Sequence, residues 1–167
     1  MLSEQQLLEL GIDAERKANL LKLRDHLKTV PQEKFFMGAY LATGIGDQDL
    51  YSPYRNFKEL TLDKINPVEV LHTCGSVSCA IGLGPTAGIP VGDSLTWRTY
   101  SMTNFVACNS ILSGKADDFL FRSGWKSIDP TPMGVAKRID ILLEKGLECW
   151  PTGELSYFKD NLPYETE

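Results

Sequence analysis

Apolar side chains recur at intervals of three and four residues in two long stretches of the chain, which is the spacing of one face of an α-helix. The first stretch starts after Asp13, an N-cap candidate, and runs to about Thr29. The second starts after Thr131 and Pro132, which suit the N-cap and the first helical position, and stops at Gly146. The pattern therefore predicts two amphipathic helices with the apolar stripes Leu20, Leu23, Leu27 and Val30, and Val135, Ala136, Ile139, Leu142 and Leu143.

Charged side chains occupy other positions of both stretches. We expect them to form solvated helix faces rather than binding patches, because they fall off the apolar stripes. They are Lys17, Lys22, Arg24 and Lys28 in the first helix, and Lys137, Arg138, Asp140, Glu144 and Lys145 in the second.

Shorter apolar clusters predict further helical elements. Asp117 and Asp118 are expected in the first turn of one of them, where carboxylates complement the helix dipole. The predicted ranges are 4–10, 32–43, 101–112, 116–124 and 155–158.

Glycine, proline and asparagine interrupt the chain in two segments, 44–67 and 83–99, and predict long irregular loops there. The second segment leaves room for one short strand. Together these patterns predict a mostly α fold, a compact single-domain helical bundle over residues 1–167. Its core is expected at about 13–146, and the C-terminal extension 147–167 is expected to fray at its acidic end.

The charge balance changes the list of expected partners. The net charge is −5, which argues against nucleic acid as a main partner, because such affinity rests on Lys and Arg. The chain shows no signal peptide and no apolar run near the ~20 residues that cross a bilayer, so no membrane association is expected. Four scattered cysteines fit free thiols better than a disulfide framework. These features predict a cytoplasmic protein.

Residues 74–82 form the most conspicuous phrase of the chain, a predicted turn leading into a helix. Gly75 permits the turn, Ser76 can cap the first amides, and a helix is expected to begin at Val77. Amides at such a helix start attract anions. We therefore expect a ligand-binding site for a phosphate or carboxylate at these residues, aided by Arg98 and Arg55. Trp97 is either a core residue or a stacking surface.

The cysteines of this region allow three interpretations. Cys74 could be a nucleophile with His72 as its base, since a helix start lowers a thiol pKa. A metal site would need about four ligands, and the spacing of His72, Cys74, Cys79 and Cys108 is not that of a known zinc motif. The third interpretation is structural, with Cys79 and Cys108 in the core and Cys74 in the turn. We expect neither a metal nor a cofactor.

The motif Cys-Gly-(Ser/Thr)-Val-x-Cys-x-x-Gly, followed by Phe119-Leu120-Phe121, Trp125 and the helix after Thr131, resembles a family of small bacteriophage and bacterial proteins without established activity. The resemblance covers about residues 13–146, apart from the insert at 44–67. It implies a non-enzymatic accessory binding protein of phage or prophage type in the bacterial host cell. Such a protein would inhibit or evade a host defence or host process, through a host protein surface or a small phosphorylated or nucleotide ligand.

Two alternatives stay open. One is a small cysteine-dependent hydrolase or transferase that uses Cys74 and His72. The other is a structural or assembly protein of a virion. The aromatic-rich elements also allow a homo-oligomer, because they can leave an apolar patch exposed.

Overall fold

The computed structural model describes residues 1–37, 40–43, 58–59, 62, 66–71 and 77–165. Helices dominate this part of the chain, which confirms the predicted fold class. The α-helices are α1 (Glu4–Glu9), α2 (Ala14–Leu27), α3 (Pro67–Leu71), α4 (Trp97–Asn104), α5 (Ile111–Phe121) and α6 (Pro132–Lys145). Short 3-10 helices are formed by Gln32–Lys34, Ile81–Leu83, Ser123–Ser127 and Leu155–Lys159. Three short strands are β1 (Leu41–Thr43), β2 (Lys58–Glu59) and β3 (Val77–Ser78).

The two long amphipathic helices form where the apolar pattern predicts them. Asp13 caps α2 by accepting a hydrogen bond from the Arg16 amide at 2.9 Å, and the predicted leucines Leu20, Leu23 and Leu27 are buried. Thr131 caps α6 through the Gly134 amide at 3.0 Å. The helices α2 and α6 pack against each other, with α4 against α2 and α5 against α6.

The hydrophobic core extends beyond residues 13–146 at both ends. On the N-terminal side it includes Leu7 and Ile12, and on the C-terminal side Trp150, Leu155 and Phe158. Phe158 is fully buried and stacks on Trp125 with ring centroids 5.2 Å apart. The C-terminal segment therefore contributes to the core rather than lying outside it. Within the described part of the chain, no helix combines the length and the apolar character needed to cross a bilayer.

A small antiparallel sheet replaces the helix predicted over residues 32–43. Strand β1 lies between β2 and β3, with Ala42 opposite Glu59 and Leu41 opposite Ser78. The prediction was wrong after the first 3-10 turn, because the Phe36 amide donates to the Ser78 carbonyl at 3.0 Å instead of bonding within a helix. A short apolar run cannot by itself distinguish a buried strand from a helix.

The helix predicted from Val77 is also wrong at its start, since Val77 and Ser78 form strand β3. Ser78 Oγ donates to the Tyr40 carbonyl oxygen at 2.7 Å. Gly82 lies so close to this carbonyl that a Cβ at position 82 would collide with it. The small residues of the segment thus allow two backbones to approach closely. Residues 84–96 are irregular as predicted, without a strand, but the predicted loop over 83–99 ends early because Thr96 caps α4, which starts at Trp97.

The helix predicted over residues 101–112 is broken in two. Helix α4 ends at Asn104, and Ser110 starts α5 with a capping box that pairs it with Ser113. Because α5 begins so early, Asp117 and Asp118 lie in its interior, and their predicted place in a first turn was wrong.

Arg138 was predicted to face water and is instead completely buried. Its guanidinium carbon lies 3.9 Å from the centroid of a Trp125 ring, so the flat cation packs on an aromatic face. The rest of the predicted charged face of α6 is solvated at Asp140, Glu144 and Lys145.

Candidate functional site

Five of the predicted site residues, Arg55, His72, Cys74, Gly75 and Ser76, lie outside the described residues. The cysteine–histidine pair and the glycine turn therefore stay predictions. Any site built from the structure has to start from the other three residues.

Tyr40 connects the elements that carry the other three residues, which are Val77, Trp97 and Arg98. Val77 pairs with Ala42 in the sheet, and Tyr40 lies just before that strand. The Tyr40 ring stacks on Trp97 at 6.0 Å with an interplanar angle of 12°. Arg98 follows Trp97 in the first turn of α4.

Trp97 is a core residue, which is the first of the two roles that the sequence left open for it. Its side chain is 5% exposed, and its ring meets Tyr100 edge-on at 5.7 Å. An indole in this position supports the Tyr40 ring and cannot offer an open stacking surface. Trp125 is fully buried as well.

Arg98 carries the exposed positive charge of this neighbourhood. Its side chain is 57% exposed, and its Nη1 donates to Asp117 Oδ2 at 3.3 Å. A guanidinium has five N–H donors in a planar fork, and this contact uses one of them. The other donors of Arg98 make no hydrogen bond within the described part of the chain.

The carboxyl group of Asp117 holds the Arg98 side chain in place. Its side chain is only 14% exposed, and its Oδ1 is buried without a hydrogen-bond partner among the described residues. Burial raises the pKa of the Asp117 carboxyl, and the Arg98 charge counteracts part of that rise. Burial lowers the pKa of Arg98, but Cys108, Asp117 and Tyr40 together raise it above its ordinary value.

Cys108 lies beside the same carboxylate and holds an uncommon backbone conformation. Its φ is +54°, in the left-handed region that side chains other than glycine rarely adopt. Burial and then the Asp117 charge raise the pKa of its thiol to about 11. The thiol is therefore protonated at neutral pH, which makes it a poor nucleophile.

We call Tyr40, Arg98, Cys108 and Asp117 the Arg98 cluster. Sequence reasoning found Arg98, but it considered Cys108 only as a core residue or a metal ligand and Asp117 only as a charge in a first helical turn. The Ser110 N-cap followed by Ser113 was the local signal that separates α4 from α5. The cluster can donate several hydrogen bonds from a guanidinium that Asp117 holds in place. Among the residues that the structure describes, no three histidine, cysteine or acidic side chains are grouped as a metal site.

Comparisons with protein-family models, with curated proteins and with solved structures find no match to this chain. The resemblance to bacteriophage proteins and the roles that it implies therefore stay predictions. The geometry of the Arg98 cluster is the basis for a functional proposal.

Proposed function

We propose that the protein is a non-enzymatic binding protein that recognises a phosphorylated small molecule, with Arg98 as the anion-binding residue. The observation that carries the proposal is the Arg98 guanidinium, 57% exposed and fixed by an Asp117 side chain that is 14% exposed. A guanidinium held on one side and open on the other is suited to bidentate contact with a phosphate.

The position of Arg98 in its helix supports an anionic ligand. Arg98 is the second residue of α4, next to the positive end of the helix dipole. A cation at that end costs about 0.3–1 kcal/mol, so the placement does not serve the stability of the helix. An anion bound there would interact favourably with both the dipole and the guanidinium.

The biological role that we propose comes from the sequence resemblance alone. It is that of a bacteriophage or prophage accessory protein that interferes with a host process by binding its ligand. Capture of a phosphorylated host signal would join that role to the Arg98 cluster.

Isothermal titration calorimetry with inorganic pyrophosphate and a panel of nucleoside mono- and diphosphates tests the proposal. We expect Arg98→Gln to weaken binding tenfold or more, since a hydrogen bond to a charged group contributes about 1.5–3 kcal/mol. Arg122→Gln is the matched control, because Arg122 is 55% exposed and pairs with Asp118 at 3.7 Å on the adjoining helix.

The control variant should bind every probe as tightly as the original protein. Absence of binding by the original protein to all phosphorylated probes would contradict the proposal. Equal losses in Arg98→Gln and Arg122→Gln would also contradict it, because they would indicate general charge attraction.

A further inference from the structure

A second polar cluster lies around the buried Arg138, and the C-terminal tail completes it. The Tyr164 hydroxyl donates to Asp129 Oδ2 at 2.8 Å and accepts from Arg138 Nη1 at 3.2 Å. Arg138 Nη2 donates to the Leu120 carbonyl oxygen at 3.3 Å. The phenol therefore bridges a carboxylate and a guanidinium that are both buried.

The two polar partners of the phenol are fixed by the body of the protein. Asp129 Oδ1 accepts from the Thr131 hydroxyl at 2.7 Å and from the Thr131 amide at 3.3 Å. Arg138 packs on Trp125, and the Trp125 ring stacks in turn on Phe158. These contacts involve no residue after Phe158, so they can hold both groups in place without Tyr164.

The tail itself is attached much more loosely. Within the described residues, no hydrogen bond between backbone groups joins residues 161–165 to the rest of the chain. Lys137 Nζ donates to the Glu165 carbonyl oxygen at 2.6 Å at the exposed surface. The tail is thus held by side chains. The Tyr164 side chain is half-buried, Leu162 packs against the core, and the Asn161 amide group donates to the Tyr157 carbonyl oxygen at 3.2 Å.

Arg138 has more hydrogen-bonding capacity than its surroundings satisfy. Two of its five N–H donors have partners, and its buried Nε has none in the described part of the chain. Buried polar groups are almost always paired, so a fully buried cation with an unpaired nitrogen next to a fixed carboxylate calls for an explanation beyond packing.

We propose that the cleft formed by Trp125, Asp129 and Arg138 is a binding site for a phenol group, which Tyr164 of the tail occupies and can vacate. This site is separate from the Arg98 cluster and does not depend on the function proposed there. A ligand with a phenol, including a tyrosine of another peptide, competes with the tail for the cleft.

The chemistry of the cleft selects a phenol over related groups. A phenol donates one hydrogen bond and accepts another, which matches one carboxylate and one guanidinium. A ring without a hydroxyl would remove the phenol's hydrogen bonds to Asp129 Oδ2 and Arg138 Nη1, and a site built around such bonds discriminates strongly against a ligand that lacks them. A ring that carries a negative charge would be repelled by the Asp129 carboxylate, which is negative as well.

The test uses the full chain with Tyr164→Ala, and p-cresol as the free equivalent of the tyrosine side chain. We expect p-cresol to bind Tyr164→Ala at least 30-fold more tightly than the original protein, measured by concentration-dependent thermal shift. Toluene, which lacks the hydroxyl, should bind at least tenfold more weakly than p-cresol. Tyr157→Ala is the matched control, because it also removes a half-buried tyrosine, from the 3-10 segment just before the tail, and p-cresol should not stabilise it.

Equal effects of p-cresol on the original protein and on Tyr164→Ala would overturn the proposal, as would equal effects of toluene and p-cresol. If Tyr164→Ala does not fold, Tyr164→Phe decides the question. Removing the hydroxyl should accelerate release of residue 164 by a carboxypeptidase at least tenfold, while Tyr157→Phe should leave the rate unchanged. An unchanged rate in Tyr164→Phe would overturn the proposal.

Discussion

Replacing Gly134 with alanine should destabilise the protein, although alanine is the better helix former. Gly134 lies in the first turn of α6, against the Asp129 carboxyl group. A Cβ at position 134 would lie 2.6 Å from Asp129 Cγ and 2.8 Å from Oδ1, far inside contact distance. The carboxyl group cannot retreat freely, because it accepts hydrogen bonds from Thr131 and Tyr164.

The size of the effect follows from opposing contributions. Glycine to alanine in a helix gains about 1 kcal/mol, whereas overpacking costs about 1–3 kcal/mol and a lost buried hydrogen bond a further 1–3 kcal/mol. We therefore expect Gly134→Ala to lower the free energy of unfolding by about 3 kcal/mol, which is roughly 9 °C in Tm for a chain of this size.

Gly114 provides the matched control for this prediction. It lies inside α5, and a Cβ at position 114 would have no neighbouring atom within 4 Å. Gly114→Ala should raise the free energy of unfolding by about 1 kcal/mol through helix propensity alone. Urea unfolding and calorimetric melts of both variants check the pair. Stabilisation of Gly134→Ala to the same extent as Gly114→Ala would refute the argument that Asp129 is fixed against α6.

Three further predictions follow from single groups. In urea unfolding, Cys108→Gly should be more stable than Cys108→Ala by about 1 kcal/mol, because glycine adopts a left-handed backbone without the steric cost that other residues carry. Equal stabilities of the two variants would contradict backbone strain at the Cys108 φ of +54°. Alkylation of Cys108 by iodoacetamide should be slow at pH 7.5 and accelerate toward its pKa of about 11, whereas fast labelling at pH 7.5 would show a thiolate. Burial lowers the pKa of His26 below its ordinary value of 6.5. As the pH drops, His26 is therefore protonated in the unfolded chain before it is protonated in the folded protein, and the free energy of unfolding falls below about pH 6.5. His26→Gln should flatten the stability profile between about pH 7 and pH 5, and an unchanged slope would exclude this histidine as the cause.

Local signals predicted the long helices well, because caps and apolar stripes act within a few residues. Asp13 and Thr131 cap their helices as predicted, and the stripes of α2 and α6 are buried except for the last residue of the first one, Val30, which is half-buried. Such signals do not depend on the rest of the fold.

Predictions failed where distant parts of the chain decide the structure. Phe35, Leu41 and Ala42 pair with residues of β3 that lie more than 30 positions away, so a local pattern could not distinguish strand from helix. Arg138 is buried because Trp125 and Tyr164 reach it from other elements. Asp117 belongs to the candidate site because α5 starts at Ile111. This start places the Asp117 carboxyl group beside Arg98, which lies on α4.

The most direct test of the central claim is an NMR titration of the isotope-labelled protein with inorganic pyrophosphate. We predict saturable chemical-shift changes at the Arg98 Nε–H signal and at the amides of residues 97–99, and their loss in Arg98→Gln. Shifts that centre on Arg122 instead, or that persist in Arg98→Gln, would contradict the assignment of the Arg98 cluster as the anion-binding site.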